Sequence, residues 1–181
     1  PSLISSRLKD TLCAVIDLLR ATTTISVAIA SGAAEVYPCV SSAEAREYAR
    51  LRGRDGYLLG GEENCALIPG FDLGNSPAEY LDSKKIRGKT IIFSTTNGTP
   101  VIRKAYAATG NPVFLAALSN LGAVSAALVK TALDKPYPNI TLACSGRHGN
   151  TSLEDTLCAG LIIAKMEEEL AQAAITPELT D

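Results

Sequence analysis

Short apolar runs alternate with longer helical stretches along most of the chain. Residues 13–19 (CAVIDLL) are nearly all apolar, which predicts a strand buried on both faces. The following Ala21-Thr22-Thr23-Thr24 opens an Ala/Ile/Val-rich run that closes at Ser31-Gly32, predicting a helix with a Thr cap and a Gly stop. Residues 34–40 predict a second strand. Ser41-Ser42-Ala43-Glu44 then forms a capping box for a polar helix to about Gly53. A short strand over 57–60 leads into a long loop, 61–80 (GEENCALIPGFDLGNSPAEY), which ends on the helix-start signal Ser76-Pro77-Ala78-Glu79. Loops of this length are usually functional. Further strands are predicted over 89–95, 112–118 and 139–145, with helices over about 98–108, 121–133 and 152–170. The alternation predicts an α/β fold with three α/β/α layers around a mainly parallel or mixed sheet. Right-handed crossovers would then gather the strand C-terminal ends on one edge, where ligands bind in such sheets.

Composition narrows the partners. A length of 181 residues suits one domain over 1–181 with room for two lobes. The 46% apolar content excludes a disordered chain. The charge sum, 17 − 19 = −2, supplies no field for nucleic acid or an anionic membrane. With no Trp, three Phe and six Tyr there is little from which to build a base-stacking surface. No run approaches the ~18 apolar residues of a membrane span, and residues 1–10 lack a signal-peptide core. Five cysteines without a CxxC fit neither a disulfide framework nor a zinc site, and read as reduced thiols of a cytoplasmic protein. The single histidine, His148, means that any metal would be held by oxygens. The many edge elements of so small a chain are compatible with a homodimer.

Four predicted turns carry unusual polar content. In the first, Asp17 interrupts an apolar strand and is followed by Arg20, Thr22, Thr23 and Thr24 at a helix N-terminus, an anion-favouring place. The plain alternative there is a buried Asp17–Arg20 ion pair with a Thr cap. The second, Ser94-Thr95-Thr96-Asn97-Gly98-Thr99, offers a nest of backbone N–H groups for phosphate oxygens or, plainly, a capped turn. The third runs from Gly146 through Arg147, His148 and Ser152 to Glu154 and Asp155. One of its two acids would serve the helix cap while the other faces the site. The fourth is the long loop, with Glu62, Glu63, Asp72, Asn75 and Ser76. Oxygen donors of this kind suit Mg²⁺, which keeps several waters and needs few carboxylates. Asp17, Glu62, Asp72 and Asp155 are the candidate ligands.

Taken together, VIDLLRATTTI (15–25), GGEENCALIPGFDLGNSPAEY (60–80), STTNGT (94–99) and GRHGNTSLEDTLCAG (146–160) resemble the 2-phosphosulfolactate phosphatases, in the same order. The resemblance runs from about residue 10 to the C-terminus. It implies a three-layer α/β/α fold and Mg²⁺-dependent hydrolysis of 2-phospho-3-sulfolactate to 3-sulfolactate, a step toward coenzyme M. At positions matching the motifs, Asp17, Arg20 and Asp155 are assigned to catalysis, and Asp17, Glu62 and Asp72 to the metal. Thr22, Thr23, Thr24, Asn75, Ser76, Thr95, Thr96, Asn97, Gly98, Thr99, Arg147, Ser152 and Glu154 are assigned to binding a small anionic substrate. Cys65 stands where the family often has Gly, and Arg147 where a small hydroxyl residue is usual. Members also begin before a residue like Pro1 and continue past a segment like 177–181, as expected if this chain is a fragment. The competing expectations are a phosphatase for another small phospho-carboxylate and a non-catalytic binder of phosphate esters or sulfonates.

Overall fold

The computed structural model describes residues 8–52, 56–135, 139–172 and 174–179. The readings of the first seven residues, of a helix end at Gly53 and of the last two residues lie outside them. Seven strands are described: β1 Leu12–Ile16, β2 Glu35–Cys39, β3 Tyr57–Glu63, β4 Ala66–Leu67, β5 Thr90–Ser94, β6 Val113–Ala116 and β7 Ile140–Cys144. Six α-helices accompany them: α1 Ala21–Ala30, α2 Ser42–Arg52, α3 Ser83–Ile86, α4 Gly98–Thr109, α5 Leu121–Asp134 and α6 Leu153–Gln172. Short 3₁₀ turns cover Pro77–Tyr80 and Leu118–Asn120.

The strands form two sheets rather than one. The first is parallel, in the order β6-β1-β7, and the second runs β2-β5-β3-β4 with only β4 antiparallel. The apolar run at β1 is the central strand of the first sheet and is wholly buried, as its sequence predicts. Each Val, Leu or Ile removed from water there contributes roughly 1.5–3 kcal/mol. Cys13 and Val15 face one core together with Ala21, Ile25 and Ala28 of α1, Ile102 and Ala105 of α4, and Ile91 and Phe93 of β5. Leu12, Ala14 and Ile16 face the other way, onto Val124 and Leu128 of α5 and Cys158 and Ile162 of α6. The far side of the second sheet packs Cys39 and Ile92 against Ala45 and Ala49 of α2. Each sheet is thus the centre of an α/β/α sandwich, and the two sandwiches share the α1–α4 layer.

Chain order explains that layer. α1 carries the chain from β1 in the first sheet to β2 in the second, and α4 carries it back from β5 to β6. Both helices therefore begin at strand C-terminal ends, on the edge the sequence singles out. The 61–80 loop is more ordered than its composition suggests. It holds β4 and then returns along β3, where Gly61 N–H donates to the carbonyls of Leu73 and Gly74. Tyr80 anchors it, fully buried, with its hydroxyl donating to the Gly74 carbonyl at 2.8 Å.

Candidate active site

Asp17 is the first residue beyond β1. It continues the face of Cys13 and Val15, so its side chain points at the layer formed by α1 and α4. Only 7% of it is exposed. Its carboxylate accepts from the backbone N–H groups of Ala21 and Arg20 at the start of α1. It also lies against the first residue of α4, since a Cβ at Gly98 would come within 2.3 Å of Asp17 Oδ2. Burial pushes the Asp17 carboxyl up to about 6 from an ordinary 3.8, and the negative charges of Asp155 and Glu62 push the same way against those N–H bonds. A carboxyl raised by burial and by neighbouring acids at the edge of an α/β sheet is a candidate reacting group.

The four turns meet around it. Asp155 accepts from Leu18 N–H at 2.8 Å through Oδ1 and from Gly146 N–H at 3.0 Å through Oδ2, tying the end of β1 to the end of β7. Glu62 accepts from Thr96 N–H at 2.8 Å, from the Thr96 hydroxyl at 3.1 Å and from Cys65 N–H at 2.6 Å, tying β3 to the β5–α4 turn. Asn97 Oδ1 takes the His148 N–H at 3.3 Å, and the Thr24 hydroxyl donates to the Asn75 carbonyl at 3.1 Å. On the second sheet's side of Glu62 a cleft of about 210 Å³ opens between Ser41, Ser42, Asn64 and Thr96.

Many of the hydroxyls assigned to substrate are occupied with this stitching. Thr22 bridges the backbone N–H and carbonyl of Asp17, and Thr23 donates to the Leu18 carbonyl. Thr95 and Thr99 cap each other, and Thr96 also accepts from Asn64 N–H. Their effect on a ligand is to fix the backbone. Other groups are left free. Arg20 is half-buried and forms no ion pair among the described residues, so the buried Asp17–Arg20 pair that is the plain alternative in the sequence is not formed. Arg147 is exposed and likewise without an ion pair among the described residues. Asn75 Oδ1 and the Ser152 hydroxyl are buried without partners among the described residues. Ser76 is half-buried and its side chain caps nothing; Glu154 is half-buried in the first turn of α6. Buried polar groups are nearly always satisfied, so unpartnered ones on a ligand-binding edge point to a ligand. Ser145, at the end of β7, belongs with them, and the sequence reading passed over it. The signal was a hydroxyl closing an apolar strand just before Gly146.

The candidate ligands Asp17, Glu62, Asp72 and Asp155 are differently engaged. Asp72 is exposed and its Oδ2 accepts from Leu59 N–H at 2.8 Å, midway along β3, so it serves the returning loop. Among the described residues, no group of three or more His, Cys, Asp or Glu gathers as one ion's ligands. The charge does favour a cation. Asp17 feels the negative charges of Asp155 and Glu62, and among the described residues no cationic side chain offsets them there. Mg²⁺ held by one or two carboxylates and waters suits that donor set, and Asp72 is turned to its own loop.

The family model described as 2-phosphosulpholactate phosphatase matches residues 1–179. Three proteins named "Probable 2-phosphosulfolactate phosphatase" illustrate the kinship. That of Symbiobacterium thermophilum is 45% identical over 152 residues, 84% of this chain and 62% of the relative. That of Clostridium beijerinckii is 37% identical over 164 residues, 91% and 66% respectively. That of Thermotoga maritima is 42% identical over 153 residues, 84% and 61%. The matched region thus spans under two thirds of these relatives' length. No helix among the described residues is long and apolar enough to cross a membrane. The chain belongs to the 2-phosphosulpholactate phosphatase family.

Proposed function

We propose that this family member is a Mg²⁺-dependent phosphomonoesterase that converts 2-phospho-3-sulfolactate to 3-sulfolactate and phosphate. The observation that carries the reading is Asp17, a buried carboxyl raised to about 6 between two helix N-termini, with the unpaired Arg20 three residues on. The relatives' names support the substrate. That substrate carries phosphate, carboxylate and sulfonate groups. Arg20 and Arg147, without ion pairs among the described residues, would supply guanidinium groups for them, each able to fork onto a planar or tetrahedral acid. The first turns of α1 and α4 offer backbone N–H groups to phosphoryl oxygens.

Asp17, with water and with the charges of Asp155 and Glu62 nearby, would hold the ion. Bound Mg²⁺ would neutralise phosphoryl oxygens and orient the ester. Hydrolysis breaks the ester P–O bond; water supplies the new oxygen on phosphorus and a proton to the departing alkoxide. Asp17 enters that balance either as the nucleophile, giving an acyl phosphate that water then cleaves, or as the base that takes the water proton. Acid quenching of a single turnover with ³²P-labelled substrate separates the routes, since only the first labels the protein.

The test is phosphate release from the intact protein on 2-phosphosulfolactate, 2-phospholactate, 2-phosphoglycolate and an aryl phosphate, each with Mg²⁺ and with EDTA. Metal-dependent turnover, fastest on the sulfonated ester, is the expected result. Preference for a non-sulfonated acid would move the substrate and keep the chemistry. Binding without turnover on all four would overturn the enzymatic reading.

A further inference from the structure

The sheet register singles out Ser145. β7 runs parallel to β1 with Cys144 opposite Ile16, and the Ser145 N–H donates to the Ile16 carbonyl at 2.7 Å. One step further along both strands, Ser145 stands beside Asp17. Neighbours in register on parallel strands send their side chains to the same face, about 4.8 Å apart. Ala143, two positions earlier, packs into the core that holds Val15, so Ser145 shares the face of Asp17. On the other side of Asp17 the register leads from Ala116 to Ala117, which brings no polar side chain. Ser145 is therefore the polar neighbour of Asp17 within its own sheet.

Among the described residues its hydroxyl has no hydrogen-bond partner although its oxygen is shut off from solvent, and the Ser152 hydroxyl shares that condition in a residue only 9% exposed. The two flank the 146–151 loop, whose ends meet: a Cβ at Gly146 would lie 2.2 Å from the Asn150 carbonyl oxygen. A buried hydroxyl with no partner is a cost to the fold, and here it recurs at both ends of one loop on the edge where Asp17 sits.

We propose that Ser145 contacts the substrate, its hydroxyl donating a hydrogen bond to an oxygen of the phosphoryl group that reacts beside Asp17. This rests on the phosphomonoesterase reading and adds a residue to it. The hydroxyl offsets charge on phosphorus-bound oxygen and keeps its proton throughout, so the reaction balance is unchanged.

Ser145→Ala tests it in the intact protein, with inorganic phosphate as the probe. Phosphate affinity by calorimetry is expected to fall about tenfold, and kcat/KM to fall about 10–100-fold, as for a lost hydrogen bond to a charged group. The melting temperature should hold or rise, because the removed hydroxyl bonds to nothing in the protein. Ser125→Ala is the control. It also deletes a buried unpartnered hydroxyl, but within α5, and should leave phosphate binding unchanged. Wild-type phosphate affinity in Ser145→Ala would overturn the proposal. A wild-type protein with no turnover on any ester would overturn the phosphatase reading instead, and the phosphate titration would still decide the role of Ser145.

Discussion

Asp17 carries a charge where the fold does not favour one. Its folded-state pKa of about 6 lies above the ordinary 3.8, so the folded chain binds its proton more tightly than the unfolded chain does. The stabilising effect of that proton is complete below about pH 4 and is lost as pH rises through 6. Above that, the ionised group costs on the order of 3 kcal/mol. Asp17→Asn is accordingly expected to melt several degrees higher than wild type at pH 7.5 in EDTA, and to flatten the fall in stability between pH 4 and 6.5. The same change should lower turnover at least about 100-fold. A variant that keeps more than a third of wild-type activity would remove Asp17 from the reaction. The cysteines make a second residue-scale test. Burial pushes the thiols of Cys13 to about 11 and Cys39 to about 12, and Cys144, although exposed, is also raised to about 11. Cys65 is exposed. A thiol reagent at pH 8 should thus label Cys65 first and Cys144 slowly, and reach Cys13, Cys39 and Cys158 only in denaturant. Rapid labelling of three or more thiols in the native protein would contradict these burials.

Among the elements, the strands were the most legible, because runs such as 12–16 and 90–94 are buried on both faces and need no partner to be recognised. Caps were legible in part. Ser41 accepts from Glu44 N–H as its motif predicts, but Glu44 reaches back to Val40 N–H rather than to Ser41. The Thr cap expected for α1 is absent: its N-cap is Arg20, without a side-chain cap, and Thr22 turns instead to Asp17. β4 and α3 were not foreseen, being too short to show a period. The start of α4 yields a prediction. Gly98 lets that helix approach Asp17, since a Cβ there would meet Asp17 Oδ2 at 2.3 Å and Ala21 Cβ at 2.5 Å. Gly98→Ala must therefore push α4 away from α1, and should lower kcat at least about tenfold even where circular dichroism still reports a folded chain. Wild-type kcat in that variant would show that the approach is dispensable.

For the molecule as a whole, the four polar turns were readable as candidates because hydroxyls, glycines and acids cluster there. Their convergence was not, because no local pattern records that the chain alternates between two sheets. Spacing also could not separate acids that touch a ligand from acids that hold turns. Glu62 and Asp155 each have both oxygens on protein N–H or O–H groups, and Asp72 serves its own loop. The shared α1–α4 layer then explains how residues from both sheets reach one place.

The latch from Leu18 to Asp155 spans 137 positions, and both neighbours of β1 lie far downstream of it. Such distant pairings form slowly, because a long stretch of chain must be ordered before they are rewarded. β1 is thus the first strand described and among the last that can find its place. After dilution from urea, secondary structure should return well before phosphate release does, with activity following the slowest phase. Activity that recovers in step with the earliest helical signal would mean that the site closes before its sheet is complete. Until that phase ends, a wholly apolar strand waits in water, and refolding yield should fall as protein concentration rises.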